Sequence, residues 1–188
     1  MSLRIAVIGV GYLGRHHARI LSDLPGVELV AVVDTNRARA EEIAEVRKTR
    51  PLVDYREVVG QVDAVTIAVP TERHLEIAAP LLKAGLPVLV EKPMARSLAE
   101  ADAMIAAARD AGVPLGVGHT ERFNPAVAEA RPLLADPRFI EVHRLGTFPE
   151  RSLDIDVVFD LMIHDLDVLL SLVTSDVESI EAVGVPVL

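Results

Sequence analysis

The sequence predicts an α/β protein with a doubly wound parallel sheet, followed by part of a second, α+β domain. Three observations support this prediction. Short apolar runs rich in β-branched residues alternate with helical stretches along residues 1–118. The first run ends in a glycine-rich turn, which is typical of a βαβ unit. From residue 119 onward the regular alternation stops, so the sequence predicts two domains, 1–118 and 119–188.

The first domain contains six apolar runs that we interpret as strands. They lie at residues 3–8, 27–33, 51–55, 63–69, 86–90 and 114–117. Helical patterns separate most of them, at about 15–24, 36–47, 72–84 and 97–111. Strands and helices in this order form a parallel sheet, because each crossover returns the chain to the same edge with right-handed connectivity.

The second domain has a different order of elements. We predict a helix from Pro125 to about residue 134, a strand at 138–146, a polar loop at 152–156, a helix at 157–174 and a strand at 177–185. One such helix and two strands cannot cover a sheet face. We therefore expect this α+β domain to be incomplete, and either further chain or a partner to complete it.

Composition excludes several classes of function. The 188 residues include 19 basic and 28 acidic side chains, for a formal charge of −9, so nucleic acid and anionic membrane are not expected partners. With no cysteine, the chain has neither a disulfide framework nor a thiolate metal site. No run of 18 apolar residues is present, so we expect a soluble, cytoplasmic protein.

The glycine-rich turn matches the fingerprint of a dinucleotide-binding site. Gly9 permits the tight turn, Gly11 allows close approach of a pyrophosphate, and Gly14 allows close packing of the following helix. Tyr12 and Leu13 complete the loop, and the amino end of the helix favours phosphate. The alternative is a flavodoxin-like turn without a ligand.

Asp34 ends the second apolar run, 20 residues after Gly14, where a carboxylate can accept both ribose hydroxyls of an adenosine. A carboxylate at this position repels a 2′-phosphate, so the sequence favours NAD over NADP. Arg37 and Arg39 keep NADP open as the minor choice.

Polar residues follow the later strands at the edge where ligands of parallel sheets bind. Lys92 comes directly after an apolar run, between Glu91 and Pro93, and is predicted to lie over the cofactor cleft. The alternative is a surface ion pair in a loop. Pro93 restricts the preceding residue and is a candidate for a cis peptide bond. The remaining candidates at this edge are Pro70, Thr71, His74 and Arg122.

The helix at 157–174 carries a second polar group. Asp160, His164 and Asp167 follow i, i+4, i+7 spacing and are expected on one face. A carboxylate one turn from an imidazole can orient it for acid–base chemistry. The alternatives are a solvated helix face with a weak ion pair and a three-ligand metal site, although hydride transfer needs no metal.

In order and type, these motifs resemble the Gfo/Idh/MocA oxidoreductases. The resemblance rests on the glycine turn, Asp34, Pro70-Thr71-x-x-His74, Glu91-Lys92-Pro93 and Asp160-x-x-x-His164. It implies a Rossmann domain, a second domain with a dimerising sheet, NAD(P) as cofactor, and catalytic roles for Lys92, Asp160 and His164. The segments 118–125 and 160–165 further resemble the branch that acts on nucleotide sugars.

The resulting hypothesis is an NAD(P)-dependent dehydrogenase that oxidises a secondary hydroxyl of a sugar, such as the nucleotide sugar UDP-N-acetylglucosamine. Cofactor contacts are assigned to Gly9, Gly11, Tyr12, Leu13, Gly14, Asp34, Arg39, Pro70, Thr71, His74, Glu91, Lys92 and Arg122, and no metal is expected. Among these residues, His74 is expected to flank the nicotinamide and Arg122 to contact a cofactor or substrate phosphate. A homo-oligomer is expected from the resemblance. The competing hypotheses are a dinucleotide-binding module without catalysis, either a sensor or a truncated fragment, and an amino-acid-type dehydrogenase on the same scaffold.

Overall fold

The computed structural model describes residues 2–134, 136–145 and 156–185. The chain divides into two compact units, Met1–Gly118 and His119–Leu188. The parallel sheet lies in the first unit, and the described residues of the second form short helices and turns.

The sheet of the first unit has six parallel strands in the order β3-β2-β1-β4-β5-β6. The strands are β1 Leu3–Ile8, β2 Val27–Val33, β3 Arg50–Leu52, β4 Ala64–Ile67, β5 Val88–Val90 and β6 Leu115–Val117. The doubly wound parallel fold predicted from the sequence is confirmed, and all six predicted strand positions contain a strand. Several strands are shorter than predicted, because the apolar runs continue past the residues that pair.

Four helices cover the two faces of this sheet. They are α1 Gly14–Asp23, α2 Arg37–Arg47, α3 His74–Lys83 and α4 Leu98–Ala111. Helix α4 is capped at its amino end by Ser97, whose hydroxyl accepts a hydrogen bond from the Glu100 amide, and at its carboxyl end by Gly112 in the left-handed conformation, φ 68°. Local capping chemistry therefore sets both ends of this helix.

Each face of the sheet buries its own apolar cluster. Ala6 and Ile8 of β1 face one cluster with α3 and α4, in which Leu82 is fully buried. Val7 points the other way, into a cluster with Ala18 of α1 and residues of α2. Alternate residues of a strand lie on opposite faces, so a strand covered on both sides must be apolar throughout.

The strand order reverses between β1 and β4. Loops that leave β1 and β4 at their carboxyl ends therefore diverge and open a crevice, which is where open α/β sheets bind ligands. The glycine turn follows β1, Asp34 follows β2 and Pro70 lies beyond β4, so the fold gathers three predicted binding elements at this edge.

The described residues of the second unit form two helices, α5 Pro125–Ala130 and α6 Ile163–Leu172, with a π-helical turn at Val158–Met162 directly before α6. Short 3₁₀ turns lie at Thr120–Phe123 and Arg131–Leu133. Asn124 caps α5 through its side-chain oxygen, with Pro125 in the first turn as predicted.

Two strand predictions for this unit are wrong over the residues that the structure describes. Residues 138–145 and 177–185 form no strand there, and the predicted endpoint at 146 and most of the loop at 152–156 lie outside the described residues. A strand needs a paired neighbour for its amide and carbonyl groups. Alternating hydrophobicity alone does not supply that neighbour, and the described residues of this unit contain no pairing partner.

The longest helix in the described part of the chain is α4, with 14 residues. At about 1.5 Å per residue it is roughly 21 Å long, less than the ~30 Å hydrocarbon core of a bilayer. No described helix is both long and apolar enough to span a membrane.

The packing of α3 generates a stability prediction. Leu82 is fully buried, so Leu82→Ala should lower the free energy of unfolding by about 2–5 kcal/mol through lost burial and a new cavity. Leu98→Ala serves as the matched control, since Leu98 is 84% exposed and should change stability by less than about 0.5 kcal/mol. Urea unfolding followed by circular dichroism measures both. Equal losses would contradict this description of the core.

Candidate active site

A crevice of about 200 Å³ lies at the point where the strand order reverses. The loops after β1, β2 and β4 supply most of its walls. Its lining residues are Ile8, Gly9, Gly11, Val33, Asp34, Thr35, Val53, Tyr55, Ala68, Val69, Pro70, Arg73 and Ile77. Four predicted binding residues, Gly9, Gly11, Asp34 and Pro70, are therefore brought together in one place.

The three glycines of the turn have different surroundings. A Cβ on Gly14 would lie 1.8 Å from the carbonyl oxygen of Gly9, and a Cβ on Gly9, whose φ is +81°, would lie 2.6 Å from the Ala68 carbonyl oxygen. A Cβ on Gly11 would meet no protein atom within 4 Å. Gly9 and Gly14 are thus required by packing, whereas Gly11 leaves open space at the crevice, as a closely approaching pyrophosphate requires.

Asp34 is held in place by backbone amides. One carboxylate oxygen accepts from the Val10 amide at 3.0 Å and the other from the Asn36 amide at 2.9 Å. Carboxylate oxygens have further lone pairs, so both can still accept hydroxyl protons. Asp34 therefore fits the ribose role predicted for it.

Arg37 and Arg39, the residues that left NADP as the alternative cofactor, are both paired with glutamates of α2. Arg39 donates to the Val10 carbonyl at 2.8 Å and lies 2.7 Å from Glu42, while Arg37 lies 3.8 Å from Glu41. Their charges are already balanced, and a carboxylate lies in the crevice, so the arrangement favours NAD over its 2′-phosphorylated form.

The loop after β5 contains Glu91, Lys92 and a cis peptide bond between Lys92 and Pro93. Lys92 is half-buried. Glu91 is 8% exposed and its carboxylate lies 2.8 Å from Nε2 of His17, whose Nδ1 lies 2.8 Å from the Thr66 hydroxyl. The side chain of Glu91 is thus turned into the sheet, while Lys92 occupies the edge.

His74 is buried at the first turn of α3. Its Nε2 lies 3.0 Å from the Val69 carbonyl oxygen, and its Nδ1 lies 3.1 Å from that of Pro93 and 3.2 Å from that of Met94. The ring therefore links the loop after β4 to the loop after β5. Its place beside the nicotinamide stays a prediction, since both ring nitrogens contact backbone carbonyl groups of the protein.

The remaining predicted residues of the first unit lie around the crevice without lining it. Tyr12 and Leu13 are exposed on the glycine turn, with Arg15 stacked 5.0 Å from the centre of the Tyr12 ring. Thr71 opens a 3₁₀ turn that precedes α3. Cofactor contacts by these three predicted residues also stay predictions.

In the second unit, Asp160 lies in the π-helical turn and His164 in α6. A π turn changes the angular spacing of side chains, so the predicted i, i+4, i+7 face is not that of a regular α-helix. The start of the helical segment is capped by Asp156, whose carboxylate accepts from the amides of Val158 and Phe159. π-Helical turns such as the one that contains Asp160 are frequent at functional sites.

Arg122 makes a two-point contact with Asp167, which is 9% exposed. This ion pair engages two of the five guanidinium N–H donors of Arg122. A contact between Arg122 and a phosphate therefore stays a prediction, and it would use the remaining three donors. It also gives Asp167 a partner other than a metal. Among the described residues, no three histidine or acidic side chains are grouped to hold a metal ion.

A second ion pair in this unit joins Arg144 to Asp165 at 2.6 Å. Hydrogen bonding from Arg144 lowers the pKa of the Asp165 carboxyl below its ordinary value, against a smaller opposing effect of burial. Asp165 therefore remains ionised under mildly acidic conditions in the folded state.

Three residues at or near the crevice were missed by sequence reasoning. Tyr55 and Arg73 line it, and His17 holds Glu91. A signal for His17 does exist, because His17 lies on the same helical stripe as Gly14, Ala18 and Leu21, which face the sheet. A histidine on a buried stripe indicates a polar partner on the strand below. No comparable pattern marks Tyr55 or Arg73.

Comparison with known proteins gives a consistent result. A family model described as "Oxidoreductase family, NAD-binding Rossmann fold" matches residues 3–119. UDP-N-acetylglucosamine 3-dehydrogenase of Acidithiobacillus ferrooxidans is 41% identical over 184 residues, covering 97% of this chain and 58% of that protein. The scyllo-inositol 2-dehydrogenase (NAD(+)) of Bacillus subtilis is 37% identical and covers 69% of this chain and 39% of its own.

Solved structures show the same relationship. The A. ferrooxidans UDP-N-acetylglucosamine 3-dehydrogenase superimposes with a TM-score of 0.92 at 40% identity, over 99% of this chain and 61% of that one. The structure of GenD2 from gentamicin A biosynthesis in complex with NAD has a TM-score of 0.68 at 35% identity, over 72% and 39% of the two chains. The chain thus spans between two and three fifths of the length of these relatives.

The different surroundings of the glycines generate a binding prediction. Gly11→Ala adds a methyl group to open space, so stability should change by less than about 0.5 kcal/mol, while NAD affinity should fall about tenfold or more. Gly184→Ala is the matched control, because its Cβ also meets no atom within 4 Å, but it lies in the second unit. Calorimetric titration with NAD and thermal unfolding measure the two effects. Unchanged NAD affinity in Gly11→Ala would contradict a pyrophosphate at this turn.

The Arg144–Asp165 pair generates a pH prediction. In Arg144→Gln the pKa of Asp165 should rise toward its ordinary value, since the hydrogen bond that lowers it is lost. A lowered folded-state pKa stabilises the protein above the unfolded pKa and ceases to do so as pH falls through the folded value. The stability difference between the two proteins should therefore narrow in acid.

Carboxyl ¹³C NMR titration of Asp165 and urea unfolding at neutral and acidic pH test this prediction. Arg138→Gln is the control, because Arg138 pairs with the exposed Asp136 and should leave Asp165 unchanged. An unshifted Asp165 titration in Arg144→Gln would disprove the assigned cause.

Proposed function

The chain belongs to the Gfo/Idh/MocA oxidoreductase family, and from this premise we propose that it oxidises a secondary hydroxyl of a sugar by hydride transfer to NAD. The observation that carries the proposal is the combination of a crevice, lined by Gly9, Gly11 and Asp34 where the strand order reverses, with a half-buried lysine at the same edge of the sheet. NAD supplies the hydride acceptor when bound.

The described residues fit this cofactor. Gly11 leaves room for the pyrophosphate beside the amino end of α1, and Asp34 presents carboxylate oxygens for the adenosine ribose. Pro70 and Val69 form the wall opposite Asp34's strand, beyond β4. These groups bind and orient the cofactor through backbone and carboxylate contacts. The glycine turn itself, residues 9–14, contains no lysine or arginine side chain.

For the chemical step, we assign three side chains. Lys92 hydrogen-bonds the oxygen of the reacting hydroxyl and polarises it, and His164 takes the hydroxyl proton. Asp160 fixes the tautomer of His164 and stabilises its charged form. Lys92 belongs to the first unit, whereas Asp160 and His164 belong to the second.

We propose a nucleotide sugar as the substrate, with UDP-N-acetylglucosamine as the first compound to test. The support is the 41% identity to a UDP-N-acetylglucosamine 3-dehydrogenase over nearly the whole chain. The identity to inositol dehydrogenases is lower, at 32–33% where the match spans most of the chain. Arg122 is the candidate contact for a substrate or cofactor phosphate.

Assembly and location complete the proposal. A homo-oligomer is proposed from the resemblance to family members with a dimerising second domain. A cytoplasmic location is proposed because the chain contains no cysteine and NAD is an intracellular cofactor. Size-exclusion chromatography with light scattering tests the first of these statements.

The central prediction concerns Lys92. Lys92→Ala should reduce turnover by about a hundredfold or more, because the reacting oxygen loses its hydrogen-bond donor, while NAD should still bind. NADH absorbance with UDP-N-acetylglucosamine and a panel of sugars and cyclitols measures turnover, and a fluorescence titration measures binding. Lys83→Ala, on an exposed position of α3, is the control.

Two outcomes would contradict the proposal. Activity of Lys92→Ala within about tenfold of wild type would remove the assigned role of Lys92. Cofactor binding with no turnover of any compound in the panel would favour the alternative, a dinucleotide-binding module without catalysis.

A further inference from the structure

Four hydrogen bonds join the glycine turn to the start of α2 in a closed ring. The Val10 amide donates to one carboxylate oxygen of Asp34 at 3.0 Å, and the Asn36 amide donates to the other at 2.9 Å. The side-chain oxygen of Asn36, which caps α2, accepts from the Arg39 amide at 3.3 Å. Nε of Arg39 then donates to the Val10 carbonyl oxygen at 2.8 Å and closes the hydrogen-bonded ring. Both backbone polar groups of Val10 are therefore held by side chains.

Val10 is the part of the glycine turn that this ring fixes. It lies between Gly9 and Gly11, two residues that line the crevice. Its own side chain is fully buried, in the cluster that contains Ala18 of α1 and residues of α2. A loop that is already held in one conformation loses less conformational freedom when a ligand binds. The ring thus preorganises the turn at which the pyrophosphate is proposed to bind.

The cation that closes the ring has its charge balanced by Glu42. Nη1 of Arg39 donates to the Glu42 carboxylate at 2.7 Å, and the side chains of Arg39 and Glu42 are 25% and 61% exposed. A guanidinium is also a strong ligand for phosphate. The phosphate that distinguishes NADP from NAD is attached to the adenosine ribose, the sugar that Asp34 is proposed to bind. Glu42 and a 2′-phosphate are therefore competitors for one guanidinium.

We infer that Glu42 is a specificity-determining residue, which keeps Arg39 as a positioning residue for Val10 and withholds its charge from a 2′-phosphate. This inference rests on the proposed binding of NAD at the glycine turn. It divides the choice of cofactor between two carboxylates. Asp34 repels the additional phosphate directly, and Glu42 neutralises the cation that would otherwise attract it.

The first experiment removes the charge of Glu42 and keeps the size of its side chain. Glu42→Gln should lower the Kd for NADP about three- to fivefold, the upper range for a partly exposed ion pair, and change the Kd for NAD by less than about twofold. Calorimetric titration with each dinucleotide measures both constants. Glu45→Gln is the matched control, because Glu45 is exposed on the same helix and the substitution removes the same charge three residues further along. The control should leave the ratio of the two Kd values within about twofold of wild type.

Two substitutions of Arg39 separate its hydrogen bond from its charge. The side-chain nitrogen of a glutamine is as many bonds from Cα as Nε of an arginine, so Arg39→Gln can keep the hydrogen bond to Val10 without the cation. Its NAD affinity should stay within about twofold of wild type. Arg39→Ala loses the hydrogen bond too, and its NAD affinity should fall about three- to tenfold. In Glu42→Gln/Arg39→Gln the gain in NADP affinity should disappear.

Hydrogen exchange of the Val10 amide, followed by NMR, reports on the ring without any ligand. Exchange should be faster in Arg39→Ala than in wild type, because the ring is open, and close to wild type in Arg39→Gln. Thermal unfolding shows which variants are folded. If Arg39→Ala does not fold, Glu42→Gln and the double variant still test the inference.

Three results would overturn the inference. They are a ratio of NADP to NAD affinity that is unchanged in Glu42→Gln, an equal change of this ratio in Glu45→Gln, and a gain in NADP affinity that persists in the double variant. If the affinities follow the expected pattern but no sugar is oxidised, the proposed reaction fails while the role of Glu42 stands. If neither dinucleotide binds to the wild-type protein, both the proposed cofactor and this inference are wrong.

Discussion

Two glycines with no space for a side chain determine how the first unit is assembled. Because a Cβ on Gly14 would lie 1.8 Å from the Gly9 carbonyl oxygen, α1 can start directly against the end of β1. That close approach places the amino end of the helix at the crevice. It also carries His17, one turn further on, within reach of Thr66 and Glu91. The position of the helix end at the crevice and the position of His17 thus both depend on one backbone contact.

Most of the first unit was predictable from sequence because its determinants are local. Buried parallel strands appear as continuous apolar runs, and the spacing of the glycines predicts the geometry of the turn. The second unit was predicted less well, because its strands at 138–146 and 177–185 were inferred from alternation alone. Pairing is a long-range property, and the described residues there offer no neighbouring strand. The π turn that contains Asp160 likewise leaves no trace in the residue spacing.

In the candidate site, too, the residues of a local motif were predicted and those brought together by long-range packing were not. Gly9, Gly11 and Asp34 were identified because a motif with fixed spacing brings them together, and the structure places them in one crevice. The partner of Glu91 could not be identified this way, because His17 is 74 residues away in sequence. Only the packing of α1 against the sheet brings this histidine to the carboxylate. Sequence motifs thus predict candidate ligand-binding residues better than they predict the residues that position those side chains.

An acidic chain with a net charge of −9 must still accept an anionic dinucleotide. The carboxylates near the crevice show how this is possible, since each has donors of its own: backbone amides for Asp34 and His17 for Glu91. Hydrogen bonds from fixed donors stabilise the negative charge of each carboxylate and fix the orientation of its side chain. Asp34 can then accept further hydrogen bonds, as the proposed contact with a ribose requires. Local pairing, rather than net charge, therefore decides what this edge of the sheet can bind.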